Sequence, residues 1–442
     1  MTDDKKKIFS KEEALALARQ GKDAWNEWAK DNSGIEIDFS NCSLDGSIIN
    51  FSNFIFPGPC NFYRSTFFDM EFWNAKFLSN VKFDHSRFEG PRVNFYQASF
   101  LGDETRFNYA KFVGGNYNFL LTKFDGKYID FSDAEFIGRS VGFTDTSFIG
   151  TRIRFERTKF TKSDAHFFGA KFCGDISFNL EKFGGEVANF ENTWFLNGAV
   201  SFKKAMFSGS LIFSNAKFDN ESSFEGARFD GPIDLENSKF TNVPDFRKSK
   251  LATHFSLHDM TVNEVFKPAR KLFRLRFKEA NDASVADKFR RLKELAVQAR
   301  DHEREQDFFA KELKAKRFYE TTGPALGWSY LYEWTSNFGL STSRPIYWLL
   351  ATWFCFGAVY GAMSTILSTH PFEALGKGLI LSGALLTPFV AISRTAISDM
   401  RESLYGDGIS LWWLDVAAIF QGILGLIFIF LIGLALRNRF RI

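Results

Sequence analysis

Phenylalanine recurs along the chain with a period that fits neither an amphipathic helix nor a half-buried strand. Large apolar residues come in pairs five apart, and the pairs recur every eleven or twelve residues. The pairs are Phe83/Phe88, Phe95/Phe100, Phe107/Phe112, Phe119/Phe124, Phe131/Phe136, Phe143/Phe148, Phe155/Phe160, Phe167/Phe172, Phe178/Phe183, Phe190/Phe195, Phe202/Phe207, Phe213/Phe218, Phe224/Phe229 and Leu235/Phe240. Because helices repeat every 3.6 residues and strands every two, each unit of five is predicted to be one short side of a coil. The pattern predicts a β-solenoid.

The residues between the paired rings are also patterned. Many units read F-x-x-[A/T/S]-x-F, as in FYQASF, FNYAKF and FSDAEF, and the second Phe is often followed closely by Gly. One large and one small inward position are therefore predicted in each unit, with Gly at the corner where it occurs. The predicted structural core includes Phe95, Phe100, Phe107, Phe112, Phe131, Phe136, Phe143 and Phe148.

These units resemble the pentapeptide repeat family, whose usual unit is A-[D/N]-L-x-x. The resemblance covers about half of the chain, with Phe where Leu is commoner. It implies a right-handed quadrilateral β-helix over residues 35–260. Four sides with inserted corner residues give coils of about 22 to 24 residues, and roughly nine such coils would make a rod on the order of 45 Å long.

Both ends of a solenoid need a cap, because an open end exposes unpaired backbone groups. Residues 1–34 are predicted to form a helical cap, in which Ser10 and Glu13 have the spacing of a capping box. Its apolar residues are Leu15, Leu17, Trp25 and Trp28.

After the repeats, residues 261–335 are predicted to form a basic helical connector. One apolar face contains Phe289, Leu292, Leu295 and Ala296, and another contains Phe308, Phe309, Leu313 and Phe318. This pattern predicts a helical hairpin with a solvated charged face. Anionic lipid is the alternative neighbour of its cations Lys267, Arg270, Lys271, Arg274 and Arg276.

The last part of the chain, residues 336–442, is predicted to be a membrane module. The stretches 346–367 and 411–436 are long and apolar enough to cross a bilayer. The segment 376–393 between them is shorter and contains Pro388, so a re-entrant segment is predicted there. Arginines at 437, 439 and 441 and the basic connector predict an inner or plasma membrane protein with the solenoid and the C-terminus in the cytoplasm.

This helix, re-entrant segment and helix resemble the two-helix pore module of the potassium-channel superfamily. The resemblance implies a filter at Thr387, Pro388, Phe389, Val390 and Ala391. The filter motif T-x-G-[Y/F]-G is absent, so potassium selectivity is not implied. Gln421 lies within the second span, where it either lines a pore or bonds to a neighbouring helix.

Charge and motif content exclude several classes of function. The formal net charge is +3, and the repeats are approximately neutral, which disfavours both nucleic acid binding and DNA mimicry. The sequence contains no phosphate-binding loop, no nucleophile elbow and no dinucleotide turn, so neither catalysis nor a cofactor is expected. No metal site is expected from the six His, and the four isolated Cys are expected to be reduced.

Two functions remain open at this point. The first is an ion-channel-like homo-oligomer in the membrane lipid, tetrameric if it follows the pore family, with the solenoid as a sensor or binding domain. The second is a membrane-tethered scaffold, whose solenoid binds a protein partner and whose helices serve as an anchor.

Overall fold

The computed structural model describes residues 8–251, 254–263, 266–272, 275–365, 371–386, 391–406 and 412–440. The chain divides into two units, Met1–Ala315 and Lys316–Ile442. Residues 316–335, predicted as part of the connector, thus group with the apolar helices of the second unit.

The first unit contains a β-solenoid of about ten turns, in which short strands pair in parallel with the equivalent strands of the turns before and after. The largest sheet contains Ile8–Phe9, Glu36–Asp38, Ile55–Phe56, Cys60–Asn61, Lys76–Phe77, Val81–Lys82, Ser99–Phe100, Glu104–Arg106, Lys123–Asp125, Tyr128–Asp130, Ser147–Arg154, Lys171–Ser177, Trp194–Leu196, Val200–Ser201, Lys217–Phe218, Ser222–Ser223, Lys239–Phe240 and Thr261–Val262.

Two further parallel sheets complete the turns. One contains Ser43–Asp45, Thr66–Phe68, Arg87–Glu89, Lys111–Val113, Glu135–Ile137, Lys159–Thr161, Lys182–Phe183, Met206–Phe207, Arg228–Phe229 and Lys250–Leu251. The other contains Arg92–Asn94, Asn116–Asn118, Ser140–Gly142, Asp164–His166, Val187–Asn189, Ser210–Ile212, Ile233–Asp234 and Phe255–Ser256.

Four columns of buried side chains fill the interior. The first is Phe39, Phe62, Phe83, Phe107, Phe131, Phe155, Phe178, Phe202, Phe224 and Phe246. The second runs from Leu44 through Phe112 and Phe136 to Phe229, the third from Phe51 through Phe95 and Phe143 to Leu257, and the fourth from Phe56 through Phe100 and Phe148 to Val262. Rings in the first column stack with centroids 4.5 to 5.1 Å apart. All eight rings predicted as structural core are buried, and the columns begin before Phe83.

The residues after a first- or third-column ring make a tight turn. Except after Phe178, the second residue after the ring has a positive φ, for example 57° at Tyr109 and at Asp133. After most of these rings the third residue is small and buried, as the F-x-x-[A/T/S]-x-F pattern predicts; Phe54 and Glu181 are exceptions. Where it is Thr, its hydroxyl donates to the ring residue's carbonyl one turn earlier, as Thr122 Oγ1 does to Phe95 O at 2.8 Å, whereas Ser238 and Ser249 donate to Leu235 O and Phe246 O of their own turn. The hydroxyl is thereby satisfied inside the core.

Glycines occupy a corner where successive turns approach closely. Gly102, Gly126, Gly150, Gly174 and Gly198 recur every 24 residues. A Cβ at Gly126 would lie 2.2 Å from Gly102 O, and one at Gly174 would lie 1.7 Å from Gly150 O. Any side chain there would force the turns apart, which explains the glycines after the paired rings.

Helices α1 (Lys11–Ala18) and α2 (Lys22–Asp31) cap the first turn, and the predicted capping box of Ser10 and Glu13 is present. Trp25 is fully buried against Phe39, Phe54 and Phe56, and its indole N–H donates to Ile55 O at 2.9 Å. The cap thus continues the aromatic core.

The other end differs in part from the sequence prediction. Phe266–Leu272 and Leu275–Ala280 form an antiparallel β-hairpin instead of a helix. The predicted helical hairpin follows as α3 (Ser284–Gln298) and α4 (His302–Ala315). Phe289, Leu292 and Leu295 join the solenoid core, as does Phe308. Arg291 Nη2 donates to Ser249 O at 2.8 Å, which fixes α3 on the last turns.

The second unit is helical and consists of α5 (Pro324–Ser336), α6 (Ser343–Thr365), α7 (Pro371–Leu386), α8 (Ala391–Tyr405) and α9 (Trp412–Arg439). By length and composition, α6 and α9 could cross a membrane. They match the predicted spans to within a few residues. Helix α7 packs on both, and its 16 residues correspond to about 24 Å, less than a bilayer core.

Two adjacent aromatic residues allow a test of the column model. Phe167 is buried between Phe143 and Phe190, at 4.9 and 4.7 Å, whereas the neighbouring Phe168 is exposed. We expect Phe167→Ala to destabilise the solenoid by about 3 to 5 kcal/mol because it opens a cavity in the column. Urea unfolding followed by circular dichroism measures this loss. Phe168→Ala is the matched control, and equal midpoints for the two variants would contradict the model.

Candidate functional site

Outward side chains carry the surface chemistry of the solenoid, because its inward positions are filled by apolar residues. The residue before each fourth-column ring faces outward, and successive members pair in register. The series begins at Ile55, and we call its members from Lys76 onward the basic row: Lys76, Ser99, Lys123, Ser147, Lys171, Trp194, Lys217, Lys239 and Thr261. It contains five lysines and no carboxylate, so it offers a line of cations along one face.

Acidic side chains of the same chain neutralise little of the positive charge of the basic row. Among the residues that the structure describes, Lys76, Lys123 and Lys239 form no ion pair, whereas Lys111 on a neighbouring sheet pairs with Glu135 at 3.5 Å. The other two lysines contact the exposed Trp194, with the ammonium nitrogens of Lys217 and Lys171 at 4.3 and 5.6 Å from its ring centroid. The row can therefore accept anionic groups from outside.

A groove of about 600 Å³ lies at the glycine corner beside the row. Its carboxylates do not form a metal site: Asp103 pairs with Lys127 at 2.8 Å, and Asp175 accepts the Ala199 N–H at 2.8 Å. The described residues contain no group of three metal-ligating side chains. Burial raises the pKa of the Cys173 thiol in the groove, so this thiol is a poor nucleophile at neutral pH.

The structure describes one of the five residues predicted to form a filter. Thr387, Pro388, Phe389 and Val390 lie outside the described residues, and Ala391 is the first residue of α8. The structure therefore describes no filter geometry. Gln421 is described, and it is fully buried within a single chain.

Gln421 is the centre of a polar cluster among otherwise apolar helices. Its Nε2 donates to Ser382 O at 3.0 Å and to Ser382 Oγ at 2.7 Å, and its Oε1 accepts the Tyr360 hydroxyl at 2.9 Å. Ser382 Oγ in turn donates to Trp353 O at 2.8 Å. These bonds tie α9 to α7 and α6, which is the helix–helix alternative that the sequence leaves open.

Close packing of α6 on α7 depends on three glycines. Gly357 and Gly361 are four residues apart on α6, and Gly378 faces them from α7. A Cβ at Gly378 would lie 2.4 Å from Gly357 O. Sequence reasoning missed this contact and the role of Ser382. The G-x-x-x-G spacing in FGAVYG and the lone serine in LILSGALL were the available signals.

One comparison with known proteins matches a part of the repeat region. A family model for pentapeptide repeats in nine copies matches residues 202–250. This stretch covers the last turns of the solenoid, where the units read FSNAKF and FEGARF. No curated protein and no solved structure matches the chain. The family match and the observed turns agree on a repeat solenoid.

The polar cluster predicts that two neighbouring substitutions on α9 differ in their effect on the stability of the helical unit. We expect Gln421→Leu to lower the stability of the helical unit by about 1 to 2 kcal/mol, because the Tyr360 hydroxyl and Ser382 lose their buried partner. Thermal unfolding in detergent measures the change. Phe420→Leu, at the exposed neighbouring position, is the control, and a Gln421→Leu protein that melts with the control would refute a stabilising role.

Proposed function

We propose that the protein is a membrane-anchored binding scaffold. In this proposal, α6 and α9 cross the bilayer, and the solenoid binds an acidic segment of a protein partner through the basic row. The interior of the solenoid is filled with rings, so its binding capacity belongs to its outer faces.

The membrane part of the proposal is supported by the inverted polarity of the helical unit. The polar side chains of Gln421, Ser382 and Tyr360 are buried and bonded to one another. The exposed side chains of α9 are large and apolar, among them Val416, Ile419, Phe420, Ile423, Leu426 and Phe430. Water would not favour this distribution, whereas lipid would.

Charge at the helix ends supports one orientation. Arg344 lies at the start of α6, and Arg437 and Arg439 lie at the end of α9. By the positive-inside rule, these ends belong in the cytoplasm, together with the solenoid and the C-terminus, so the protein would occupy an inner or plasma membrane.

The spacing of the lysines supports the choice of partner. Lys76, Lys123, Lys171 and Lys217 recur on every second turn, which separates them by about 10 Å. Acidic side chains seven residues apart on an α-helix are about 10.5 Å apart, so a helix with acidic residues at that interval would match the row. Exposed ion pairs contribute less than about 1 kcal/mol each, so binding should weaken with salt.

We also propose a handedness and a cross-section for the solenoid. Four inward columns and turns of 21 to 24 residues fit the right-handed quadrilateral β-helix that the family resemblance implies.

Vesicles containing the full chain test both parts of this function. We expect the protein to stay with the vesicles through an alkaline wash, because its anchor is apolar rather than electrostatic. We expect it to bind a helical peptide with glutamates seven residues apart. Lys123→Glu/Lys171→Glu should weaken this binding about ten-fold at low salt, since two attractive pairs become repulsive. Peptide fluorescence anisotropy measures the affinity.

The matched control reverses two lysines away from the row. Lys203 and Lys204 are exposed on a turn, and Lys203→Glu/Lys204→Glu makes the same change in net charge. Equal affinities for the two double variants would refute the basic row as the binding face. Release of the protein by the alkaline wash would refute the membrane anchor.

A channel-like homo-oligomer is the second candidate, favoured by one feature of the helical unit. The apolar helix α7 is too short to cross a bilayer and packs between α6 and α9, as a pore helix would. Single-channel recording, together with the mass in detergent, tests this candidate. Discrete conductance from a tetramer would support it, and silence from a monomer or dimer would favour the scaffold.

A further inference from the structure

We propose that α5 is an interfacial helix, which lies on the cytoplasmic surface of the bilayer with Trp328, Leu331 and Trp334 inserted between lipid headgroups and upper acyl chains. We call these three residues the α5 stripe. The inference rests on the proposed function in two respects: α6 must cross the membrane, and its first residues must lie on the cytoplasmic side.

The α5 stripe is exposed although it is apolar. Trp328, Leu331 and Trp334 occupy positions i, i+3 and i+6 and are 70%, 42% and 60% exposed. The polar residues Ser329 and Glu333 face the protein instead. A helix on the surface of a water-soluble protein has the opposite arrangement, with its apolar residues toward the protein core. The exposed side of α5 is therefore suited to an apolar or interfacial environment.

Arg317 holds α5 in this orientation. Its guanidinium is nearly buried and donates from Nε to Ser329 Oγ at 2.9 Å and from Nη2 to Ser329 O at 2.8 Å. Nη1 pairs with Glu333 Oε2 at 2.5 Å, and the group lies 3.8 Å from the Tyr330 ring centroid. Because these contacts fix the polar side inward, rotation of α5 cannot bury the stripe without breaking them.

The position of α5 matches one boundary of the two candidate spans. Arg344, at the start of α6, donates to Glu333 O at 2.8 Å, and Asn438, at the end of α9, donates to Gly339 O at 3.2 Å. Both spans therefore reach the same side of the unit beside the end of α5. Trp334 contacts Trp348 of α6 with ring centroids 4.1 Å apart, so the stripe continues onto the outer surface of α6.

Lipid is the occupant that this placement favours. Trp has an apolar ring and an N–H donor, a combination suited to the boundary between headgroups and acyl chains. The stripe is continuous with exposed apolar residues of α6, among them Ile346, Leu350 and Phe354, which contact lipid in the proposed function. An amphipathic helix in this setting lies in the plane of the interface.

The test uses an environment-sensitive fluorophore on single cysteines of the full chain in vesicles. The four native cysteines are first replaced by Ala. The label is attached to Leu331→Cys in the stripe, to Phe354→Cys in the middle of α6, or to Lys203→Cys on the solenoid. Emission wavelength reports polarity, and quenching by lipids brominated near the headgroup end of the acyl chain reports lipid contact.

We expect the label at position 331 to be blue-shifted relative to position 203 and to be quenched by the brominated lipid. Water-like emission at 331 with lipid quenching at 354 would overturn the interfacial helix and leave the membrane anchor standing. A blue shift at 331 without lipid quenching would mean that a protein surface, such as a second copy, covers the stripe, and would also overturn it. Water-like emission at both positions would reject the anchor itself.

Discussion

The spacing between paired strands determines how side chains pack throughout the solenoid. Parallel strands lie about 4.8 Å apart, so equivalent side chains on successive turns must repeat at nearly that distance. Aromatic rings can stack in parallel at this separation, as Phe83 and Phe107 do at 4.7 Å and 11°. Rings of neighbouring columns meet edge to face, as Phe95 and Phe107 do at 6.0 Å and 89°. One side chain therefore satisfies both contacts on turn after turn.

The other sequence constraints follow from the filled interior. Rings on two sides leave room for a small residue between them, and the tight turns require positive φ at residues such as His85 and Tyr109. Turns at the strand spacing bring corner backbones together, which requires glycine at Gly126 and Gly174. Packing thus constrains the residue types at the inward positions, whereas the residue types at the outward positions can vary. The basic row lies on such positions, where the core places no demand on charge.

The sequence permits prediction of the repeat because a single packing rule recurs many times. Long-range pairing of α7 and α9 depends on single residues, such as Ser382 and Gln421, that no period reveals. The hairpin Phe266–Ala280 was predicted as helix because its basic content suggested a charged face. The alternation in Leu275–Arg276–Phe277–Lys278 has a period of two, which fits a strand. The basic row was not foreseen, because lysines separated by two turns are scattered in sequence.

The two units place their polar groups by opposite rules, and this contrast is the strongest physical argument for a bilayer. In the solenoid, rings are buried and lysines face out, so water stabilises the arrangement. In the helical unit, Gln421 and Arg317 are buried with their hydrogen bonds satisfied, while Trp328 and Phe430 face out. Burying polar groups yields little net stability when the alternative is exposure to water, but it becomes necessary when the alternative is hydrocarbon. The inverted polarity of the second unit is therefore the observation that supports the proposed membrane anchor.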